Sequence, residues 1–319
     1  MPPGLRPGQA LAANDGHELF YTTTVNNYIS RLAHLGVIEV NGEDAASFLQ
    51  AQLTSDIDQL ADQQSQFSAW CNPRGRVIAN FIVTRSGSHY FLIIPVDLIE
   101  TICKRLKMFV LRARVSILNR TDEYGCLGVY TDDALTNIDQ LVNWDYSAIK
   151  VTIPQYPART ILISARNEMP SLLSGMAAHG IEIVEVYRWQ LLDIQTGVPW
   201  IYPTTSEQLL PQELDLENTG ALSYNKGCYP GQEIIARLHF RGQVKRGLYT
   251  GQFKSRDSIP VPGMKLFTGA KTRSIGILIN SVRESADNIA SLAVINIDAA
   301  GKQTMVLEDG GVFHPFPRH

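Results

Sequence analysis

The motif KGCYPGQE contains a single cysteine, Cys228, in a setting that could support thiol chemistry. Gly227 and Gly231 allow backbone conformations that other residues rarely adopt, and Pro230 fits near the start of a helix that continues through QEIIARL. Cys228 therefore precedes a predicted helix, where exposed amide groups and the charge of Lys226 would favour its thiolate form. A cysteine packed in a turn is the structural alternative.

A cluster of cations follows this motif. Four of them lie within ten residues: Arg237, Arg241, Lys245 and Arg246. They are interleaved with His239, Phe240 and the flexible Gly242. Such a cluster could hold a ligand rich in carboxylates or phosphates through bidentate arginine contacts. A solvated charged face is the alternative, and the interleaved aromatic residues are sparse for a nucleic-acid site.

Three further positions are candidates for a binding site. Trp189 lies on a predicted amphipathic helix, YRWQLLDIQTG, where a flat heteroaromatic ligand could stack on it, although a core tryptophan explains it equally well. The turn CNPRGR contains Arg74 and Arg76, but it could be only a hairpin connection. Glu233 is the nearest candidate acid or base in the cysteine motif, and the helix dipole explains its position as well.

The elements that must position these residues form an α+β pattern. The first unit comprises the strand VIEV, the helix EDAASFLQAQL, a meander of QFSAWC, RVIANFIVTR and HYFLIIP, and the helix DLIETICKRLKMFV. From about 113 to 185, a second unit is predicted from the strands VSIL, YGCLGVY, RTILISA and IEIVEV, with helices near 132–142 and over MPSLLSGMAAHG. Beyond about 247, short β-like runs predict a small barrel or sandwich.

Composition narrows the class of protein. The 319 residues are 45% hydrophobic, which is enough to bury more than one core. The formal net charge of -3 gives no overall attraction to phosphate backbones or anionic membranes, so no stable nucleic-acid binding and no membrane association are expected. The amino terminus does not resemble a secretion signal, and four scattered cysteines without metal-ligand spacing favour a reducing, cytoplasmic location and no metal site.

The order of these motifs resembles that of the YgfZ-type folate-binding proteins. These proteins belong with the glycine-cleavage aminomethyltransferases and are related to mitochondrial iron-sulfur assembly factors. The resemblance is carried by KGCYPGQE, followed by Ala236-Arg237 and Arg241-Gly242, and it extends to GVIEVNGEDAASFLQAQLTSDI, WCNPRGRV and LLDIQTGVP. It covers about residues 31–319.

The resemblance implies an aminomethyltransferase-like fold of three domains around a central opening that admits tetrahydrofolate. Residues 25–112 and 186–240 are expected to form the first α+β domain, which is completed by chain from beyond the second domain. Residues 113–185 are expected to form the second α+β domain. Residues 241–319 are expected to form the C-terminal β-barrel.

The function implied by the resemblance is that of an accessory protein. It would bind tetrahydrofolate or a derivative and support the assembly or repair of iron-sulfur enzymes, including those that modify tRNA. The expected partners are therefore folate and iron-sulfur client enzymes. Cys228 is the family's signature cysteine and a possible reactive thiol, Trp189 matches a folate-contacting tryptophan, and Arg237 and Arg241 are candidates for the pteroylglutamate tail. Further cofactor contacts are expected from Gln195, Lys226, Tyr229, Gln232 and Glu233.

Four positions depart from the pattern of the superfamily. Aminomethyltransferases carry an acidic pair where this chain has Ala79 and Asn80, so the carboxylate that supports transfer is missing. Gln195 replaces a glutamate that holds the pterin ring, and it can form hydrogen bonds without supplying a charge. Leu35 replaces a second tryptophan found in some members. Aminomethyl transfer is therefore not expected, and a folate-dependent one-carbon transferase that uses another acidic group stays the alternative.

Overall fold

Two five-stranded sheets and a closed six-stranded barrel make up the described part of the chain. A computed structural model describes residues 27–131, 148–254, 257–268, 273–300 and 304–316. The helix predicted near 132–142 lies outside the described residues. Within these limits the predicted α+β fold is confirmed, and the C-terminal β region is a barrel, not a sandwich.

The first sheet has the strand order β3-β4-β5-β2-β6 and is antiparallel. Its strands are β2 (Leu35–Asn41), β3 (Ser65–Cys71), β4 (Val77–Ser86), β5 (His89–Pro95) and β6 (Ser116–Asn119). Its helices are α1 (Ala45–Gln52) and α2 (Ile99–Lys107), with 3₁₀ turns at Ile57–Gln59 and Val96–Leu98. Helix α2 buries Ile99, Ile102 and Leu106, because these residues recur at helical spacing.

The second sheet has the order β10-β1-β7-β9-β8. Its strands are β1 (Asn27–Arg31), β7 (Tyr124–Thr131), β8 (Ile149–Thr152), β9 (Arg159–Ala165) and β10 (Glu182–Val184). Helix α3 (Met169–Ala178) buries Met169, Leu172 and Met176 against the apolar side chains of this sheet. Helix α4 (Val186–Gln195) contacts β1 and also reaches the barrel.

The barrel closes in the order β11-β14-β13-β12-β15-β16. Its strands are β11 (Arg246–Lys254), β12 (Lys265–Thr268), β13 (Ser274–Arg283), β14 (Asn288–Asn296), β15 (Met305–Leu307) and β16 (Val312–Pro315). A 3₁₀ turn at Pro211–Leu214 and helix α5 (Gln232–Arg241) come before it in the chain. In the described ranges, no helix combines the length and the apolar character that crossing a membrane requires.

Strand pairing differs from the sequence prediction at two places. Strand β6 was expected in the second unit, but it pairs with β2 of the first sheet. Strand β1 was not predicted, and it joins the second sheet between β7 and β10. Two strands therefore pair with partners on the other side of the predicted boundary between residues 112 and 113. The predicted domain limits stay a prediction. Local alternation identifies a strand, but it does not identify the strand's partner.

The end of α2 also differs from the prediction. The helix predicted over DLIETICKRLKMFV continues to Val110, with Phe109 in its apolar spacing, but α2 ends at Lys107. Phe109 is 46% exposed, and its ring packs edge-on against Trp70 at a centroid distance of 5.8 Å. Phe109 thus belongs to the loop that follows the helix.

Candidate functional site

The cysteine motif packs directly against the NPRG turn, about 150 residues earlier in the chain. Gly231 has a φ of +82°, and a Cβ atom there would lie 2.5 Å from the Asn72 carbonyl oxygen and 2.7 Å from the Gly75 Cα. Gly75 has a φ of +71°, and a Cβ on it would meet Ile234 at 3.2 Å. Both the backbone angles and the lack of space therefore favour glycine on both sides of this contact.

Hydrogen bonds hold the NPRG turn in place. The Asn72 Oδ1 accepts from the backbone amides of Arg74 and Arg76, at 2.9 and 3.0 Å. The Asn72 Nδ2 donates to Glu207, which also pairs with Arg105, and both bonds are 2.7 Å long. These two bonds lower the pKa of Glu207, because both favour its charged form. The turn is therefore a braced support for the cysteine motif, and Arg74 lies on its exposed side.

Lys226 anchors the motif to the first sheet. Its Nζ donates to the backbone carbonyls of Leu53 and Ser55, at 2.8 and 2.6 Å. Burial lowers the pKa of Lys226 to about 8, and the charges of Asp56 and Asp58 partly oppose this shift. Two of its three donor hydrogens are thus used to position the loop, and one is left for another acceptor.

Tyr229, within the motif, carries a buried hydroxyl. The residue is 6% exposed, and its ring lies 5.4 Å from the Lys226 Nζ. Its hydroxyl has no hydrogen-bond partner among the described residues, and neither have the Trp70 Nε1 and the Gln212 Oε1. Burial raises the pKa of Tyr229 well above its usual range, so the hydroxyl stays protonated. Buried polar atoms normally have partners, so these three are candidates to bind a ligand or water.

Cys228 differs from the other cysteines in its exposure. All four cysteines lie in the described part of the chain; Cys228 is exposed, while Cys71, Cys103 and Cys126 are buried. Burial raises the pKa of Cys103 to about 11 and that of Cys126 to about 12, and it raises the pKa of Cys71 further. The buried thiols are therefore inert, and Cys228 is the thiol that a partner or ligand can reach.

Helix α5 presents the cationic cluster to solvent. It buries Ile235, while Glu233, Arg237 and Arg241 are exposed and Gln232 is partly buried in the first turn. The structure thus places the predicted contacts of the motif in two environments. Lys226 and Tyr229 of the loop point into the protein, whereas Glu233, Arg237 and Arg241 of the helix face outward.

Arg246 does not act with this cluster, because it forms a salt bridge with Glu213. Its guanidinium donates to both carboxylate oxygens of Glu213, at 2.8 and 2.9 Å. Glu213 is 7% exposed, and it also accepts from the Leu210 amide. Arg246 therefore joins the barrel to the 3₁₀ turn before α5, and it is not free to hold a ligand.

Trp189 lies at the centre of a buried polar cluster. It is 1% exposed, and the guanidinium of Arg159 lies 4.3 Å from its ring centroid. On Gly128 a Cβ would come within 2.5 Å of the ring. Arg159 forms a salt bridge with Asp193, which also accepts from the Trp200 Nε1 at 3.0 Å. A ligand would have to move a neighbour in order to stack on Trp189.

Asp193 and Arg159 are site residues that the sequence prediction missed. Asp193 lies four residues after Trp189 on α4, so helical spacing places both on one face. That spacing could have indicated Asp193 as an inward carboxylate. No local pattern indicated Arg159, because its role depends on strand β9 packing beside α4.

The comparisons with known proteins agree with this arrangement of motifs. A protein-family model described as GCVT N-terminal domain matches residues 25–167. The "tRNA-modifying protein YgfZ" of Shigella sonnei (strain Ss046) is 28% identical over 290 residues, which cover 87% of this chain and 88% of that protein. The protein of the same name from Escherichia coli O157:H7 is 28% identical over 271 residues, covering 81% and 82%. The chain is therefore similar to the YgfZ proteins over most of its length. The predicted resemblance to the YgfZ-type proteins is thereby confirmed.

A solved structure has the same fold as this chain. The glycine cleavage system aminomethyltransferase T from Bartonella henselae matches with a TM-score of 0.69 at 14% sequence identity. The match covers 92% of this chain and 86% of that protein. The aminomethyltransferase-like fold expected from the YgfZ resemblance is therefore confirmed.

In this chain an amide occupies the position expected for the transferase carboxylate. The Asn80 Nδ2 donates to the Pro199 carbonyl at 2.8 Å, and its Oδ1 accepts from the Ile201 amide at 2.9 Å. An aspartate could not make the first of these bonds when ionised. Ala79 and Leu35 are both buried in the core. Asn80 thus ties β4 to the segment that follows α4.

The end of α4 is not arranged as the YgfZ resemblance suggested. Gln195 is exposed at the last residue of the helix, whereas the buried carboxylate is Asp193. Three buried polar atoms near Asp193 lack partners among the described residues: both ring nitrogens of His34 and the Arg159 Nε. Burial lowers the pKa of His34, against the charge of Asp193, so its ring tends to be neutral.

Proposed function

We propose that this protein binds tetrahydrofolate or a derivative and is an accessory factor in tRNA modification, supporting the assembly or repair of iron-sulfur client enzymes. The observation that carries the proposal is the setting of Cys228. It is an exposed thiol on a loop that Lys226 anchors from below and that Gly231 seats against the NPRG turn. Such a preorganised thiol can act on a partner, and the names of the YgfZ relatives point to tRNA modification.

The unsatisfied polar groups support folate as the ligand. His34, Arg159 and Tyr229 carry buried donors or acceptors without partners, and a pterin carries several complementary ones. When bound, tetrahydrofolate would supply a carrier for one-carbon units. Its charged tail would suit the exposed Arg237 and Arg241.

The remaining predicted contacts keep their proposed roles, with some limits. Lys226 has one donor left and Gln195 is accessible, so both can hydrogen-bond a ligand. Gln232 and Glu233 lie in the first turn of α5, on the route from the loop to the arginines. Trp189 supports the pocket through Arg159, and it could stack on a ligand only if that guanidinium moves. Asn80 argues against aminomethyl transfer, because both ends of its side-chain amide are hydrogen-bonded to backbone groups.

Folate binding can be tested by calorimetric titration with reduced tetrahydrofolate. We expect the wild type to bind stoichiometrically and His34→Leu to bind at least tenfold more weakly, because leucine removes two unsatisfied nitrogens. The same substitution should leave the unliganded protein as stable as the wild type, since no hydrogen bond is lost. Trp189→Phe tests the stacking role with little loss of volume, and Gln195→Ala tests the exposed end of α4.

Two results would contradict the folate proposal. One is a wild type that does not bind tetrahydrofolate at all. The other is normal binding by all three variants, which would place the ligand away from α4. If Gln195→Ala binds weakly and His34→Leu binds normally, folate remains the proposed ligand, but its pterin ring lies at the end of α4.

The accessory role can be tested in cells that lack this gene. We expect a plasmid copy of the wild type to restore tRNA modifications that depend on iron-sulfur enzymes, and Cys228→Ser to fail while still binding folate. Cys103→Ser is a matched control, because that thiol is buried and remote from the motif in sequence. Modified nucleosides would be quantified by mass spectrometry. Full restoration by Cys228→Ser would rule out a role for the thiol.

A further inference from the structure

Helix α5 and the residues after it form an exposed strip that the proposed function uses only in part. We call it the basic strip: Arg237, Phe240, Arg241, Gln243 and Lys245. Arg237 and Arg241 are one helical turn apart, and Phe240 lies beside both on the same face. Within the described ranges, none of its three cations forms an ion pair. Their charges are therefore open to an anionic partner.

Phe240 is held in place by an aromatic stack. It is 69% exposed, and its ring meets His239 edge-on at a centroid distance of 4.6 Å. His239 in turn stacks on Tyr224 at 4.1 Å and pairs with Glu217. Isolated exposed apolar residues are common on protein surfaces, but an exposed ring braced by other rings offers a fixed face for stacking.

A small cleft adjoins the end of the strip. It has a volume of about 200 Å³ and is lined by Leu210, Glu213, Leu238, Gln243, Val244 and Lys245. This volume is below the roughly 300–1,000 Å³ that is usual for sites of drug-sized ligands and cofactors. Its lining combines three apolar side chains with an amide, an ammonium group and the Glu213 carboxylate, which is paired with Arg246, and its size suits one planar ring.

We propose that the basic strip binds single-stranded RNA. Arg237, Arg241 and Lys245 contact phosphates, one base stacks on Phe240, and a neighbouring base enters the cleft. Cations that follow the backbone, combined with an aromatic platform, are the usual means of binding single strands. Arginine and aromatic residues are also common at protein interfaces, so the salt dependence and the Phe240 variant in the test below distinguish RNA from a protein partner. The strip shares Arg237 and Arg241 with the proposed folate tail, but it uses none of the buried groups proposed for the pterin, so RNA binding does not require folate.

The net charge of the chain does not exclude such a site. The expectation of no stable nucleic-acid binding came from the overall charge of -3. Charges separated by more than about 8–10 Å are screened at physiological salt, so the local charge decides whether phosphates bind. The acidic neighbours are Glu217, which is paired with His239, and Glu233, which lies one turn before Arg237. Glu213 also lines the cleft, and its charge is paired with Arg246.

The test is fluorescence anisotropy with a labelled 12-nucleotide oligo(U), measured at two salt concentrations with and without tetrahydrofolate. We expect salt-dependent binding by the wild type that does not require folate. The double variant Arg237→Gln/Arg241→Gln should lose at least tenfold in affinity, and its log–log salt slope should fall by about 1.4, or 0.7 for each phosphate contact. Phe240→Ala should lose about fivefold or more with an unchanged slope.

The control is Lys104→Gln/Arg112→Gln, which removes two exposed cations elsewhere and changes the net charge equally. Its affinity should match that of the wild type. The proposal is overturned if this control loses as much affinity as the arginine variant, if a duplex of equal length binds as well as oligo(U), or if Phe240→Ala binds normally. Failure of the wild type to bind any RNA would also overturn it and leave the strip to a protein partner.

Discussion

Lys226 shows how one side chain combines anchoring with an altered charge. Its ammonium group bonds two backbone carbonyls, which favours the charged form, but burial is the larger influence and lowers its pKa to about 8. A lysine whose pKa is lowered by folding binds fewer protons in the folded state than in the unfolded state. Its contribution to stability is therefore largest above the usual lysine pKa and is lost as the pH falls through about 8.

The pKa of Lys226 is directly measurable. We expect one lysine of the folded protein to titrate near pH 8, well below the usual value of about 10.4, when the ¹³Cε shifts of labelled protein are followed by NMR. Lys226→Arg should remove that signal and so assign it. The slope of unfolding free energy against pH between 8 and 10 should be smaller in Lys226→Met than in the wild type. If every lysine titrates above pH 10, the loop does not bury this group.

The contact between two glycine turns organises the site at the level of elements. The cysteine motif precedes α5, and the NPRG turn joins β3 to β4, so the site depends on how the helix meets the first sheet. A side chain at Gly231 would meet backbone atoms, which cannot move aside as the end of a flexible side chain can. The position of Cys228 therefore depends on the absence of a side chain three residues later.

Substitution of Gly231 can distinguish the cost of crowding against the NPRG turn from the cost of the left-handed backbone conformation. Gly231 and Gly180 share a φ of +82°, but a Cβ on Gly180 would have no neighbour within 4 Å. Both alanine variants should be destabilised by the left-handed conformation, and we expect Gly231→Ala to lose about 1–3 kcal/mol more in urea unfolding. Equal losses in the two variants would show that the motif can move away from the NPRG turn at little cost.

The Asp193 and Arg159 pair connects elements across the whole molecule. Asp193 on α4 binds Arg159 on β9 of the second sheet, and it also binds Trp200. Asn80 of the first sheet holds the backbone on either side of Trp200. Helix α4 also contacts barrel strands β13 and β14. The parts of the fold thus converge on one buried ion pair.

Breaking this pair should destabilise the whole protein. We expect Asp193→Leu to lower the free energy of unfolding by about 3–5 kcal/mol, because it leaves the Arg159 charge buried and unpaired. The double variant Asp193→Leu/Arg159→Met should recover a large part of this loss, since no buried charge remains. Denaturant unfolding of both variants is the measurement. A double variant that is no more stable than Asp193→Leu would mean that the lost packing and hydrogen bonds matter more than the charge.

The sequence by itself determined the local features of this protein. The glycines of KGCYPGQE predicted the turn before α5, the apolar spacing of Ile99, Ile102 and Leu106 predicted the buried face of α2, and short alternating runs predicted the barrel strands. These features follow from backbone freedom and periodicity, which neighbouring residues encode. The resemblance to YgfZ-type proteins rested on the same short motifs.

Only the tertiary structure decided which distant groups meet. It placed β1 in the second sheet and β6 in the first, turned the Lys226 ammonium onto the carbonyls of Leu53 and Ser55, and covered Trp189 with Arg159. Each of these contacts joins residues far apart in the chain, and each depends on how strands pair and cores pack. Burial and pairing are properties of the assembled core, so no local pattern of residue types contains them.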